Sequence, residues 1–192
     1  MKRFEIKFDV TDVNLNKILS IFHLSYLYPQ RMITSIYYDT QNMRYFNNSE
    51  EGIIPRRKIR MRSYDDRTSL NLEIKETMVD YRKKFVFKNI EKNHINYHLK
   101  KNFIYDEKLI PIIKVVYLRK YYQCRFGRVT YDYNLRYYDL NFGKFSPIVS
   151  SKKILELKNE NVNLKNKFIQ KCFLKNIRFS KYCDGVNLFL NR

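Results

Sequence analysis

From its first residues to about residue 158 the chain alternates apolar and charged side chains with a period of two, in one stretch after another. A β-strand turns successive side chains to opposite sides, so each such stretch makes a strand with one apolar and one charged face. Phe4, Ile6 and Phe8 oppose Arg3, Glu5 and Lys7; Ile59 and Met61 oppose Lys58, Arg60 and Arg62; Leu70, Leu72 and Ile74 oppose Asn71, Glu73 and Lys75. The split recurs where Arg82 and Lys84 alternate with Lys83 and Phe85, and where Tyr117 and Arg119 alternate with Val116 and Leu118. It returns at Arg128, Thr130, Asp132, Asn134 and Arg136 against Val129, Tyr131 and Tyr133, and at Glu156 and Lys158 against Leu155 and Leu157.

The pattern predicts strands over about residues 2–10, 33–39, 56–64, 68–76, 81–88, 113–123, 126–137 and 152–159. Eight strands are enough to close a barrel. Helical spacing of Val13, Leu15, Ile18, Leu19, Phe22 and Leu24 predicts a helix over about 12–25, capped by Thr11 or Asp12. Further helices are expected over about 162–175 and from Ser180 onward, with a polar segment at about 89–110. A length of 192 residues with no internal repeat and no Pro- or Gly-rich linker predicts one domain over residues 1–192.

Alternation does not say which face is inside. Charged faces turned to water would make an ordinary sheet or sandwich. Charged faces turned inward would make a basic, water-filled lumen, with helices covering part of the apolar outside, and a polyanion in the lumen would supply the counter-charge. Composition bears on the choice: 38 Lys plus Arg against 19 Asp plus Glu leave a formal charge of +19, more than solubility requires, and point to an anionic partner. Arg60 and Arg62, two apart on one strand, can present guanidinium forks to neighbouring phosphates, with Lys7, Lys75, Lys84 and Lys158 adding point charge. Glu5, Glu73, Asp132 and Glu156 fit such a face either as holders of a divalent ion that bridges phosphates or as cross-strand ion-pair partners.

The ordered set of motifs resembles the VTC domain of the triphosphate tunnel metalloenzymes, a group that also includes the CYTH-type phosphatases. It runs through Ile6-Lys7-Phe8, Ser35-Ile36-Tyr37-Tyr38-Asp39-Thr40, Lys58-Ile59-Arg60-Met61-Arg62, Leu72-Glu73-Ile74-Lys75 and Arg82-Lys83-Lys84-Phe85. It continues through Tyr117-Leu118-Arg119, Arg128-Val129-Thr130-Tyr131-Asp132, Ile154-Leu155-Glu156-Leu157-Lys158 and Phe179-Ser180-Lys181-Tyr182. The resemblance implies a mainly β (α+β) fold, a closed eight-stranded antiparallel β-tunnel with flanking helices. It implies that Lys7, Arg60, Arg62, Lys75, Arg82, Lys84, Tyr117, Arg119 and Lys158 contact phosphates, and that Ser180 and Lys181 bind phosphate at the start of the last helix. Glu156, assisted by Glu5, would hold Mn2+ or Mg2+, and Arg60, Arg62, Lys75, Arg119 and Glu156 would carry the phosphoryl transfer.

One departure separates this chain from the hydrolases. CYTH-type members open with Glu-x-Glu-x-Lys, whereas here the stretch is Arg3-x-Glu5-x-Lys7. The resemblance therefore favours the polyphosphate polymerase branch, with ATP and inorganic polyphosphate or tripolyphosphate as partners. A triphosphatase of the same fold and a non-catalytic polyphosphate-binding module are the alternatives. Members of the family are often coupled to membrane proteins, so a membrane-protein partner is a further expectation.

Remaining signals carry less. Seventeen Tyr and fourteen Phe could stack on bases, but many occupy apolar strand faces, so core packing is the expected use and nucleic acid is not the expected partner. Cys124, Cys172 and Cys183 show no paired spacing and read as packing residues in a reducing cytosol; Met1-Lys2-Arg3 leads into a strand and not into a signal peptide. His94 and His98 read as a solvated pair without a third metal ligand, and Asp39 or Thr40 as the cap of a short helix.

Overall fold

The computed structural model of the protein describes residues 4–65, 68–79, 81–97, 108–159 and 174–192. Arg3, His98, Cys172 and most of the helix expected over 162–175 lie outside them. The strands are β1 (Phe4–Asp9), β2 (Ser25–Asp39), β3 (Arg56–Tyr64), β4 (Asn71–Thr77), β5 (Arg82–Phe87), β6 (Ile110–Cys124), β7 (Gly127–Asp139), β8 (Ile148–Ser150) and β9 (Ile154–Asn159). Among the described residues the named helices are α1 (Leu15–Phe22), α2 (Arg44–Glu51) and α3 (Lys181–Leu190), with a 3-10 turn at Lys92–His94. Among the described residues no helix is long and apolar enough to cross a membrane.

The strand order is β1-β9-β7-β6-β2-β3-β4-β5, with β8 attached to β7. The fold is therefore mainly β, and eight of its strands are the expected ones. A closed ring was expected, and among the described residues no pairing joins β1 to β5. On β5, Arg82, Lys83 and Lys84 are exposed, as charge on an edge strand commonly is.

By contacts the chain falls into two compact units. The first comprises Met1–Met32, Tyr117–Leu135 and Val149–Phe179, the second Ile33–Val116, Arg136–Ile148 and Ser180–Arg192. Each has its own core. In the first, Ile18 and Phe22 of α1 pack on Ile6, Phe8, Val129, Tyr131, Leu155 and Leu157, the apolar faces of β1, β7 and β9. In the second, Tyr45 of α2 joins Ile59, Met61, Leu72 and Ile74 of β3 and β4. Helices thus cover the apolar strand faces. The charged faces are sheltered too: Arg62, Glu73, Asp132 and Glu156 are all buried, which excludes the plain arrangement with charges in open water.

Several local expectations change. Helix α1 is capped by Asn14, whose side chain accepts from Asn16 N, and not by Thr11 or Asp12. Thr11 is already taken, since its N–H and hydroxyl both donate to Asp9 Oδ1. Strand β2 begins eight residues earlier than its alternation suggested; its first half is mostly exposed and contains Pro29, so no pattern marks it. Ring contacts of Tyr26 with Tyr122 and of Tyr28 with Tyr121 hold that half to β6. In β7, Asn134 has φ 52°. This left-handed residue stands inside the strand; Asn134 and Arg136 are exposed while Asp132, Leu135 and Tyr137 are buried. The N-cap position of α2 is Met43, which makes no side-chain cap hydrogen bond; Asp39 and Thr40, expected as the cap, serve the helix start from upstream, Asp39 accepting from the N–H groups of Tyr45 and Phe46 and Thr40 Oγ1 from Arg44 N.

The β6–β7 turn depends on Gly127. Its φ is +125°, and a Cβ there would lie 2.5 Å from the backbone oxygen of Lys158. Gly127→Ala should therefore destabilise the protein by about 1–3 kcal/mol in denaturant unfolding, because both the dihedral and the carbonyl of β9 must give way. Gly52→Ala, at φ +80° with open space around it, is the comparison and should cost less.

Candidate functional site

In the second unit, β2, β3, β4 and β5 bring a charged surface together by register. Lys58 lies opposite Lys75, and Lys75 opposite Lys84. Three lysines in one cross-strand row repel one another unless an anion answers them. One turn of the pleat away, Tyr37 faces Arg60 and Arg60 faces Glu73. Glu73 is a hub: Arg60 donates to Oε2 from Nε at 2.8 Å and from Nη2 at 2.5 Å, Lys84 donates to Oε1 at 2.7 Å, and Arg62 Nη1 stands 3.6 Å from Oε2. Burial works to raise the Glu73 pKa, but Arg60, Arg62 and Lys84 outweigh it and hold the carboxyl well below the usual range.

Two further groups join this cluster. Arg60 Nη1 donates to Tyr37 Oη at 3.1 Å, and Tyr37 stacks on Tyr182 of α3 with centroids 5.2 Å apart. Although burial opposes ionisation of Tyr37, Arg60, Arg62 and Lys181 bring its pKa down to about 8. Ser180 is the N-cap of α3, accepting from Cys183 N, and its hydroxyl also accepts from Lys58 Nζ at 2.7 Å. Ser180 and Lys181 therefore stand where a helix N-terminus favours an anion. Arg82 is exposed at the start of β5, opposite Thr77.

In the first unit the register sets Glu5 opposite Lys158 and Lys158 opposite Arg128, with Lys7, Glu156 and Thr130 in the adjacent row. Lys158 Nζ is 3.1 Å from Glu156 and 3.6 Å from Glu5. Arg119 forks onto Asp132, with Nε and Nη2 donating to separate oxygens at 2.5 and 2.7 Å, and its guanidinium lies over the Tyr117 ring. Lys7 Nζ donates to Phe179 O at 2.7 Å. Burial pushes the Glu156 carboxyl up, but Lys158, Lys7 and Arg119 prevail and hold it at about 2.

Sequence reasoning placed Lys7, Glu5, Tyr117, Arg119, Glu156 and Lys158 on charged faces, and the first unit brings them together. It placed Arg60, Arg62, Lys75 and Lys84 likewise in the second, where Ser180 and Lys181, expected only from the resemblance, begin α3. It assigned no role to Arg128, Thr130 and Tyr37. Arg128 Nε and Thr130 Oγ1 are buried without a hydrogen-bond partner, an arrangement that favours an incoming acceptor. The signal was there: both share the strand face of Asp132, but only the register shows that they adjoin Lys158 and Glu156.

The depressed Glu156 pKa makes stability pH-dependent. A carboxylate whose folded pKa lies below its unfolded value of 4.5 contributes stability that is present above about pH 4.5 and is lost as pH falls toward about 2. Unfolding free energies of wild type and Glu156→Gln measured across that window should differ most at its upper end and converge at its lower end; parallel curves would refute the ion pairing.

The donor set does not suit a metal ion held by the protein alone. No group of three or more His, Cys, Asp or Glu side chains gathers among the described residues. The ammonium of Lys158 stands between the two carboxylates assigned to the metal, and both oxygens of Asp132 receive Arg119. Mg2+ and Mn2+ ask instead for several oxygens at about 2 Å.

An antiparallel sheet with helices over its apolar faces and paired Arg, Lys and carboxylate groups on its charged ones defines a class of mainly β fold with charged strand faces. The chain belongs to the VTC domain family, whose description it matches over residues 2–190. Among curated proteins there is no significant match. Solved structures share the fold. A putative adenylyl cyclase from Hippeastrum with a dominant triphosphatase activity is 14% identical, with 97% of this chain and 96% of that one covered and a TM-score of 0.59. A putative adenylate cyclase from Bacillus halodurans is 11% identical over 94% of this chain and 96% of that one, with a TM-score of 0.59. A third, from Vibrio parahaemolyticus, is 13% identical over 99% and 98%, with a TM-score of 0.53.

Proposed function

We propose that this chain, as one domain, binds a linear triphosphate or polyphosphate on its basic strand faces and catalyses phosphoryl transfer, extending polyphosphate from ATP. The observation that carries the reading is the cross-strand row Lys58, Lys75 and Lys84 beside Arg60 and Arg62. Such a concentration of cations on one strand face favours a ligand with a run of anionic oxygens. The family match from residue 2 to 190 supports the one-domain reading, and the structural likeness to a protein with triphosphatase activity supports a triphosphate as ligand.

In the proposed reaction a terminal phosphate of the chain attacks the γ-phosphorus of ATP in line, a new P–O–P bond forms, and ADP leaves. The protein supplies no nucleophile. Arg60, Arg62, Lys75 and Arg119 offset charge on the transferring and leaving oxygens, and Lys7, Arg82, Lys84, Arg128, Tyr117, Lys158, Ser180 and Lys181 hold the phosphate chain in place. A closed tunnel around the ligand is part of the same reading. A divalent ion enters as the counter-ion of the nucleotide.

Incubation of the purified protein with ATP and Mn2+ should yield ADP together with phosphate chains resolved on polyacrylamide gels. Orthophosphate released from tripolyphosphate without chain growth would instead assign the triphosphatase reaction, which the Hippeastrum likeness favours. Neither product, with tripolyphosphate still bound, would leave a binding module.

A further inference from the structure

The two carboxylates assigned to a metal in the first unit already have a cation between them. Lys158 Nζ lies 3.1 Å from Glu156 Oε1 and 3.6 Å from Glu5 Oε1, on a side chain 14% exposed. The register enforces this, because Glu5 sits directly opposite Lys158 on β1 while Glu156 shares its face two residues earlier on β9. Around them stand Lys7, Arg119 and Arg128, with Asp132 as the third carboxylate, forked by Arg119. Four cations face three carboxylates. A divalent ion entering this cluster would have to displace the ammonium and withstand repulsion from the other cations before any phosphate arrives.

We propose that Lys158 stands in for the divalent ion between Glu5 and Glu156, so that the protein takes up a triphosphate or polyphosphate without a metal ion of its own. The inference rests on the phosphate-binding reading and narrows it: the fixed cations of the strands neutralise the ligand, and a divalent ion matters only as a companion of the nucleotide. Free Mn2+ then competes with the protein for phosphate oxygens instead of assisting it.

Two measurements on the full chain test this. Calorimetric titration with tripolyphosphate should give an affinity in EDTA equal to or tighter than that in Mn2+; binding tighter by more than about tenfold in Mn2+ overturns the proposal. Paramagnetic resonance of Mn2+ with the protein alone should show no bound ion at millimolar metal, and one saturable equivalent overturns it. Lys158→Met, which removes the ammonium from between Glu5 and Glu156 while Lys7 and Arg119 remain, should bind Mn2+ more tightly than wild type; a folded variant without that gain counts against the ammonium as the stand-in. If tripolyphosphate fails to bind under either condition, the phosphate reading falls, while the resonance measurement still decides whether the protein holds a metal.

Discussion

Arg119→Ala is expected to lower the unfolding free energy by about 3–5 kcal/mol, the usual consequence of breaking a buried ion pair from one side. Both oxygens of Asp132 receive Arg119, and Asp132 is fully buried. Removing the guanidinium leaves the carboxylate in a low-dielectric setting without its two strongest donors, and also removes a side chain packed over Tyr117. Scanning calorimetry should show a melting temperature lower by on the order of 10 °C for a chain of this size. The double variant Arg119→Met with Asp132→Leu should regain much of the stability, since replacing a buried pair by apolar groups is often neutral. It should not regain tripolyphosphate binding. A loss below about 1 kcal/mol for Arg119→Ala would show that the pair is solvated and that its charge is not structural.

Arg60→Ala should act the other way round, weakening tripolyphosphate binding by about 10- to 100-fold while costing less stability than Arg119→Ala. Glu73 keeps Arg62 and Lys84 when Arg60 is removed, so its carboxylate remains answered. What disappears is the guanidinium that links Glu73 to Tyr37. Tyr37 supplies a second readout, because its pKa of about 8 depends on the charge and hydrogen bond of Arg60. Spectrophotometric titration of the variant should show the Tyr37 transition moving upward, as burial then faces less opposition. Unchanged affinity with a shifted Tyr37 would mean that Arg60 serves the hub and not the ligand.

Strand β3 shows how far pattern alone reaches: residues 56–64 were legible from alternation and form Arg56–Tyr64. Strand β2 shows where it stops. Its exposed first half has no apolar face to declare itself, and it is held by aromatic contacts with β6. Arg128 and Thr130 were visible as members of a charged face, yet their proximity to Lys158 and Glu156 is a property of the β7–β9 register. Tyr37 read as part of a motif without chemistry until Arg60 and Tyr182 were found against it.

By itself the sequence determined that the chain is an antiparallel β-fold whose strands separate apolar from charged residues, because a period of two has no other regular structure to occupy. Its formal charge of +19 made an anionic partner the expectation. Tertiary structure alone decided that Glu73, Glu156 and Asp132 are ion-paired with Arg60, Lys158 and Arg119. The reason is physical: periodicity places a side chain on a face, whereas a charge acquires its partner, its pKa and its chemistry from residues brought opposite it by strand pairing.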